Sequence, residues 1–278
     1  MYQFESRVRY SETDSRGKLT LEGIMEYYED CTTFQSEDIG LGLQHLKESH
    51  RVWVLSFVQI GINRYPNLGE RIVIQTIPYD IKGFLGYRNF VMRTQEDEVL
   101  SYANTMWTYL DTDTGRPIKA PDSMAEAYGL SERYPMEYAP RKIAMPENQI
   151  AFGEIVVKPH HLDTNDHVNN VEYVRMAREL MQDKRTCDGQ SEEAARRGAE
   201  STCDGQSKDA AIGGADAAQR KNERVVRGLR VEYKQSALLG DVIYPVGAAD
   251  AENGRMVFSL NNGGGKPYAV VELEYGNE

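Results

Sequence analysis

The chain has 278 residues, 40% of them hydrophobic and 27% charged, the balance of a globular protein with one large domain or two ordinary ones. Its net charge of −11 argues against nucleic acid as a partner, because phosphate binding needs clustered Lys and Arg. No apolar run reaches the roughly 18 residues of a membrane span, and no HExxH, paired CxxC, Walker loop or GxGxxG is present. No membrane, metal or cofactor is therefore expected.

The opening "MYQFESRVRYSETD" alternates like a strand and then turns. It has neither the basic start nor the apolar stretch of a leader, so a bacterial cytoplasmic setting is the expectation. A helix is predicted next over "LTLEGIMEYYEDCTTFQSEDIG", with Leu21, Ile24, Met25, Tyr28 and Cys31 spaced by three and four. Cys31 lies on that apolar face and reads as core; Cys187 and Cys203 are too scattered to make a disulfide scaffold with it. Gly40 and Gly42 mark the end of the helix, and "LQHLKES" is a short helical piece. Four strands follow: "RVWVLSFVQIGINRYP", "ERIVIQTIPYDIKG", "GYRNFVMRTQ" and "VLSYANTMWTYLDT".

Residues 121–150 are rich in Pro and polar residues and read as a short helix plus a linker. The order then repeats. "AFGEIVVKPHHLDTND" is strand and polar turn, "NNVEYVRMARELMQ" is helix, and four strands close the chain. "SETDSRGKLTLEGIMEYYED" and "HLDTNDHVNNVEYVRMAREL" share one plan. The expected fold is therefore α+β, two units of a long helix against an antiparallel sheet, at 1–120 and 151–278. Residues 182–223 break the plan, with one large aliphatic residue, Ile212, and "TCDGQS" twice. Such a segment buries too little apolar surface to offset its ordering entropy, and it reads as a solvated insertion.

The second polar turn carries the chemistry. On an extended segment, Asp163, Asn165 and His167 would share one face, just before a helix for which Asn169 or Asn170 is the candidate N-cap. The helix start adds free N–H groups and partial positive charge. Carboxylate, imidazole and N–H donors together are what acyl hydrolysis needs. Capping alone is the competing account of the same residues. His161 is a reserve candidate, and no GxSxG elbow is present.

"LDTNDHVNNVEYV" closely resembles the D-x-N-x-H-V-N-N-x-x-Y signature of acyl-acyl-carrier-protein (acyl-ACP) thioesterases, and more distantly the HVNN turn of 4-hydroxybenzoyl-CoA-type thioesterases. "RYSETDSRGKLTL", "VWVLSF" and "LRVEYKQSALLGD" fall in the same family order. The resemblance implies two tandem hotdog domains, a first that shapes an acyl pocket and a second that holds the catalytic residues. It implies hydrolysis of fatty acyl-ACP to free fatty acid, with acyl carrier protein as partner. Asp163, Asn165 and His167 match the catalytic Asp, Asn and His: Asp163 attacks the thioester or activates water, His167 passes a proton to the departing thiol, and Asn165 orients. Backbone N–H groups of Val168, Asn169 and Asn170 would hold the oxyanion. Where plant members carry Glu-Cys this chain has Gln235-Ser236, and Gln cannot act as a base, so either Gln235 only orients water or that position is dispensable in this branch. The first half has Glu12, Asp14 and Arg16 at the matching turn and no His. Met25 and Tyr28 are the candidates for limiting pocket depth. An acyl-CoA hydrolase and a non-catalytic acyl-thioester sensor are the alternatives, and a monomer or homodimer is expected.

Overall fold

In the computed structural model, which describes residues 1–181, 225–250 and 253–276, the opening alternation becomes β1 (Tyr2–Arg7). A single 3-10 turn at Tyr10–Glu12 leads into α1 (Leu21–Asp38), capped by the Thr20 side chain, which accepts from the Gly23 N–H at 3.1 Å. The short α2 (Leu43–Glu48) precedes β2 (Arg51–Ile62), β3 (Arg71–Lys82), β4 (Leu85–Thr94) and β5 (Val99–Asp111). A two-residue β6 (Arg116–Pro117) and α3 (Asp122–Tyr128) open the Pro-rich stretch. It runs on without regular structure to β7 (Ile150–Ala151) and β8 (Ile155–Val156).

A second 3-10 turn, Pro159–His161, leads into α4 (Asn170–Met181). The chain closes with β9 (Val225–Tyr233), β10 (Val242–Asp250), β11 (Arg255–Asn261) and β12 (Pro267–Gly276). The insertion expected at 182–223, with Cys187 and Cys203, lies outside the described residues. Among those described, no helix is long and apolar enough to cross a membrane.

The strands form one antiparallel sheet in the order β1-β3-β4-β5-β2-β9-β12-β11-β10-β7. Its centre is the β2–β9 seam, where Phe57 faces Glu232 and Gly61 faces Gly228. Outward from the seam, β5, β4, β3 and β1 on one side mirror β12, β11, β10 and β7 on the other. Each half-sheet buries one helix. Ile24 and Cys31 of α1 and Val174 and Ala177 of α4 are fully enclosed, as their spacing of three and seven requires. Burial pushes the Cys31 thiol up to about 12, so it remains a protonated core group.

The duplication runs deeper than the two helix starts. "NLGE" (67–70) and "LLGD" (238–241) are matching turns. Gly69 donates to the Val8 carbonyl and Gly240 to Val157; Val8 in turn donates to Glu70 and Val157 to Asp241. Gly69 and Gly240 both adopt positive φ, at 78° and 85°. Packing sets a different requirement at Gly247 in β10. A Cβ there would stand 2.6 Å from Cδ1 of the buried Phe258 and 3.1 Å from the Phe152 ring. Gly247→Ala should therefore cost about 1–3 kcal/mol of stability through overpacking, read from denaturant unfolding.

Candidate active site

Asp163, Asn165 and His167 do not lie on an extended segment, so the expected alternation on one face is corrected. The chain reverses here. Leu162 and Val168 pair across the reversal, and the Asp163 N–H donates to the His167 carbonyl at 2.8 Å. The Asp163 carboxylate organises the turn, with Oδ1 accepting from the backbone N–H groups of Asn165 (2.7 Å) and His167 (3.3 Å). Asp166 takes the left-handed conformation at φ 60°, which Asp tolerates better than most residues.

The first half builds the same turn. Asp14 Oδ1 accepts from Arg16 and Lys18 N–H groups, both at 2.9 Å, and Gly17 supplies the positive φ. Asp14 thus matches Asp163, Arg16 matches Asn165 and Lys18 matches His167. The turn is common to both halves; the imidazole belongs to one. His167 is exposed and pairs in backbone with Leu238, while Asn165 stands exposed at the tip.

The helix start is close to expectation. Asn169 is the N-cap, its Oδ1 accepting from the Val171 N–H at 2.9 Å. The oxyanion expectation narrows, because the Val168 N–H is bonded to the Ala237 carbonyl (3.0 Å) and the Asn169 N–H to that of His161 (2.9 Å). Of the three expected donors, the Asn170 N–H has no backbone partner among the described residues. Tyr173 and Tyr233 hold this end of α4 to the sheet. The Tyr233 hydroxyl donates to the Asn170 carbonyl at 3.0 Å, and the Tyr173 hydroxyl accepts from the Ala237 N–H at 2.9 Å.

Gln235 lies on the strand exit that runs beside Val168, but its amide faces elsewhere. Nε2 donates to the carbonyls of Lys266 and Pro267, both at 3.2 Å, so this side chain ties two loops together. His161 matches Glu12 of the first half: its Nδ1 accepts from the Lys158 N–H, as Glu12 Oε2 accepts from Arg9. Burial, with His160 and Lys158 nearby, lowers its pKa.

Met25 and Tyr28 line a small cavity of about 20 Å³ between α1 and strands β2, β4 and β5. Val58, Ile60, Phe90 and Trp107 belong to its apolar wall, and Glu29 also lines it. Glu29 was not expected at this site. It reaches from the first half to the second, accepting from the Asn170 side-chain amide at 3.3 Å. An acid one helical turn beyond Met25, on the edge of the apolar stripe, was the available signal. Among the described residues, no group of three or more His, Cys, Asp or Glu could hold a metal ion.

Residues 1–128 match the family model described as "Acyl-ACP thioesterase N-terminal domain". The match covers a little under half of the chain and makes its amino-terminal part similar to that domain. A curated relative, oleoyl-acyl carrier protein thioesterase 1 of Arabidopsis thaliana, is 26% identical over 191 residues, covering 62% of this chain and 52% of its own. The palmitoyl-acyl carrier protein thioesterase of Cuphea hookeriana is 23% identical over 180 residues, covering 60% and 43%. The chain spans about half the length of the curated relatives it matches.

Among solved structures, an acyl-ACP thioesterase from Bacteroides thetaiotaomicron superposes with a TM-score of 0.76 at 19% identity, covering 99% of this chain and 97% of that one. The 12:0-ACP thioesterase from Umbellularia californica gives 0.75 at 14% identity, covering 100% and 97%. The fold of acyl-ACP thioesterases thus extends over the whole chain, and the expected α+β double hotdog holds.

Proposed function

We propose that this protein hydrolyses the thioester of a fatty acyl chain carried on acyl carrier protein, releasing free fatty acid. The observation that carries this is the junction at Asn170. There the polar turn and the open end of α4 meet Glu29, a residue that lines the apolar cavity of the other half. An acyl chain would lie in the cavity beside Met25 and Tyr28, and its thioester would meet the Asn170 N–H at the helix start, where a developing oxyanion is favoured. Among the described residues no backbone group bonds Asp163 Oδ2, which serves for attack or for orienting water, while Asn165 orients and His167 delivers a proton to the departing thiol. The two hotdog units divide these tasks, residues 1–120 shaping the pocket and 151–278 holding the catalytic turn. Gln235 acts as a brace between loops rather than on water.

The relatives' names support the carrier-protein substrate over coenzyme A. A ladder of acyl-ACP substrates, with matched acyl-CoA thioesters alongside, tests this directly. Faster release of fatty acid from the carrier protein is the expected result; equal or faster release from coenzyme A would move the assignment to an acyl-CoA hydrolase. Tight acyl-ACP binding without release of acid would make the protein a sensor.

A further inference from the structure

Superposing the two halves by their matching turns pairs Leu21 with Asn170 and Glu29 with Arg178, each the same number of residues after its aspartate. α1 and α4 pack against each other, so each helix reaches the start of the other. The pseudo-twofold thus creates two equivalent corners, and the chain fills them with opposite chemistry. At the start of α1, Arg178 forms an ion pair with Glu22, whose side chain is buried. That corner is closed by its own charges. At the start of α4 the visiting residue is the Glu29 carboxyl, bonded to an amide and lining an apolar cavity, and among the described residues no cation pairs with it.

We propose that Glu29, from the first half, is the base that takes the proton of the attacking water at the catalytic turn of the second half. The inference rests on the hydrolase reading above and refines it, leaving Asp163 to orient the water. Hydrolysis then balances as follows. The water proton passes to a Glu29 carboxylate oxygen while the water oxygen bonds to the thioester carbonyl carbon. The C–S bond breaks, sulfur leaves with the electron pair and takes a proton from His167, and Glu29 returns its proton through solvent to the imidazole. The net change is one water added across the C–S bond.

The surroundings suit this role. Burial pushes the Glu29 carboxyl up to about 7, with Glu26, Asp163 and Asp30 adding to the rise and the Asn170 amide opposing it. From β9 it faces the Tyr233 phenol, whose own pKa burial raises further; Arg175 is drawn toward Glu26, 3.9 Å away. A base poised near neutrality combines a usable ionised fraction with real proton affinity.

The test is the pH dependence of single-turnover hydrolysis on the intact protein with an acyl-ACP substrate. The parent rate should rise with pH through about 7, as Glu29 ionises. Glu29→Gln should lower turnover about 100- to 10,000-fold and erase that rise. Its thermal midpoint at pH 8 should not fall, because the raised pKa makes the charged carboxyl a burden on the fold there. Asp163→Asn should slow turnover and keep the rise, moved to lower pH, and Glu26→Gln should leave turnover above the rise as it was while likewise moving the rise to lower pH. Asn170→Ala, which removes the bond favouring the ionised form, should move the rise to higher pH. A Glu29→Gln protein that keeps both rate and rise overturns the inference while leaving the hydrolase reading intact; a parent without any thioesterase activity overturns that reading itself. Should Glu29→Gln not fold, a rise that stays in place in Asn170→Ala overturns the role of Glu29.

Discussion

His167→Ala should lower hydrolysis of acyl-ACP by about 100- to 10,000-fold while leaving the fold unchanged. The imidazole is exposed and no hydrogen bond to its ring is found among the described residues, so the substitution removes chemistry and little else. Its backbone does the structural work, closing on Asp163 and pairing with Leu238, and alanine keeps both contacts. The first half supplies the control. Lys18 occupies the matching place, pairs in backbone with Asn67 and bonds its Oδ1 through Nζ at 2.9 Å. Lys18→Ala should cost no more than about 1 kcal/mol, as an exposed polar contact, and should leave turnover as it was. Single-turnover rates and thermal midpoints of both variants decide the matter. Near-normal turnover in His167→Ala would remove the imidazole from the mechanism and leave the turn as a cap.

How much of this was legible in the sequence depends on the range of the interaction. The α1 stripe of Leu21, Ile24, Met25, Tyr28 and Cys31 was readable because helical burial repeats locally, and the structure encloses all five. The polar cluster before α4 was readable as composition but not as shape. Alternation implied an extended strand; the Asp163 carboxylate instead gathers two backbone N–H groups, and Asp166 adopts positive φ. Side chain-to-backbone bonds of this kind compete with strand geometry, and residue spacing alone does not reveal which prevails. The "DSRGK" turn of the first half holds the same bonds, with a glycine where the second has Asp166.

Longer-range features were hidden for a different reason. Glu29 and Asn170 are 141 residues apart, and no local pattern in either helix marks their contact. The loss of Val168 and Asn169 as oxyanion donors likewise depends on carbonyls of Ala237 and His161, which only the folded hairpin brings near. Gln235 could be read as an absent acid, yet its role as a brace needed the position of the Lys266–Pro267 loop. A duplicated fold compounds this, because its functional corner is assembled from non-equivalent positions of the two copies.

Met25→Ala should shift released products toward longer acyl chains and cost about 2–5 kcal/mol of stability. Met25 is 3% exposed and forms part of the wall of this small cavity, so the deleted side-chain volume enlarges the space an acyl chain can use. The bound chain would recover in the complex part of the burial that the free variant loses, so the cost should fall mainly on the empty protein. A matched control is Met256→Ala in β11, also 3% exposed but outside the cavity wall. It should cost a similar amount and leave the product profile as it was. Tyr28 differs from both, since its hydroxyl is 2.7 Å from the Ser101 hydroxyl and its ring stacks on Phe90 at 4.9 Å. Truncating it would orphan a buried polar group as well as open space, which makes Met25 the cleaner probe of depth. Free fatty acid profiles from a mixed acyl-ACP ladder, with denaturant unfolding of the same proteins, read both effects. An unchanged profile in Met25→Ala would place the acyl chain somewhere other than this cavity.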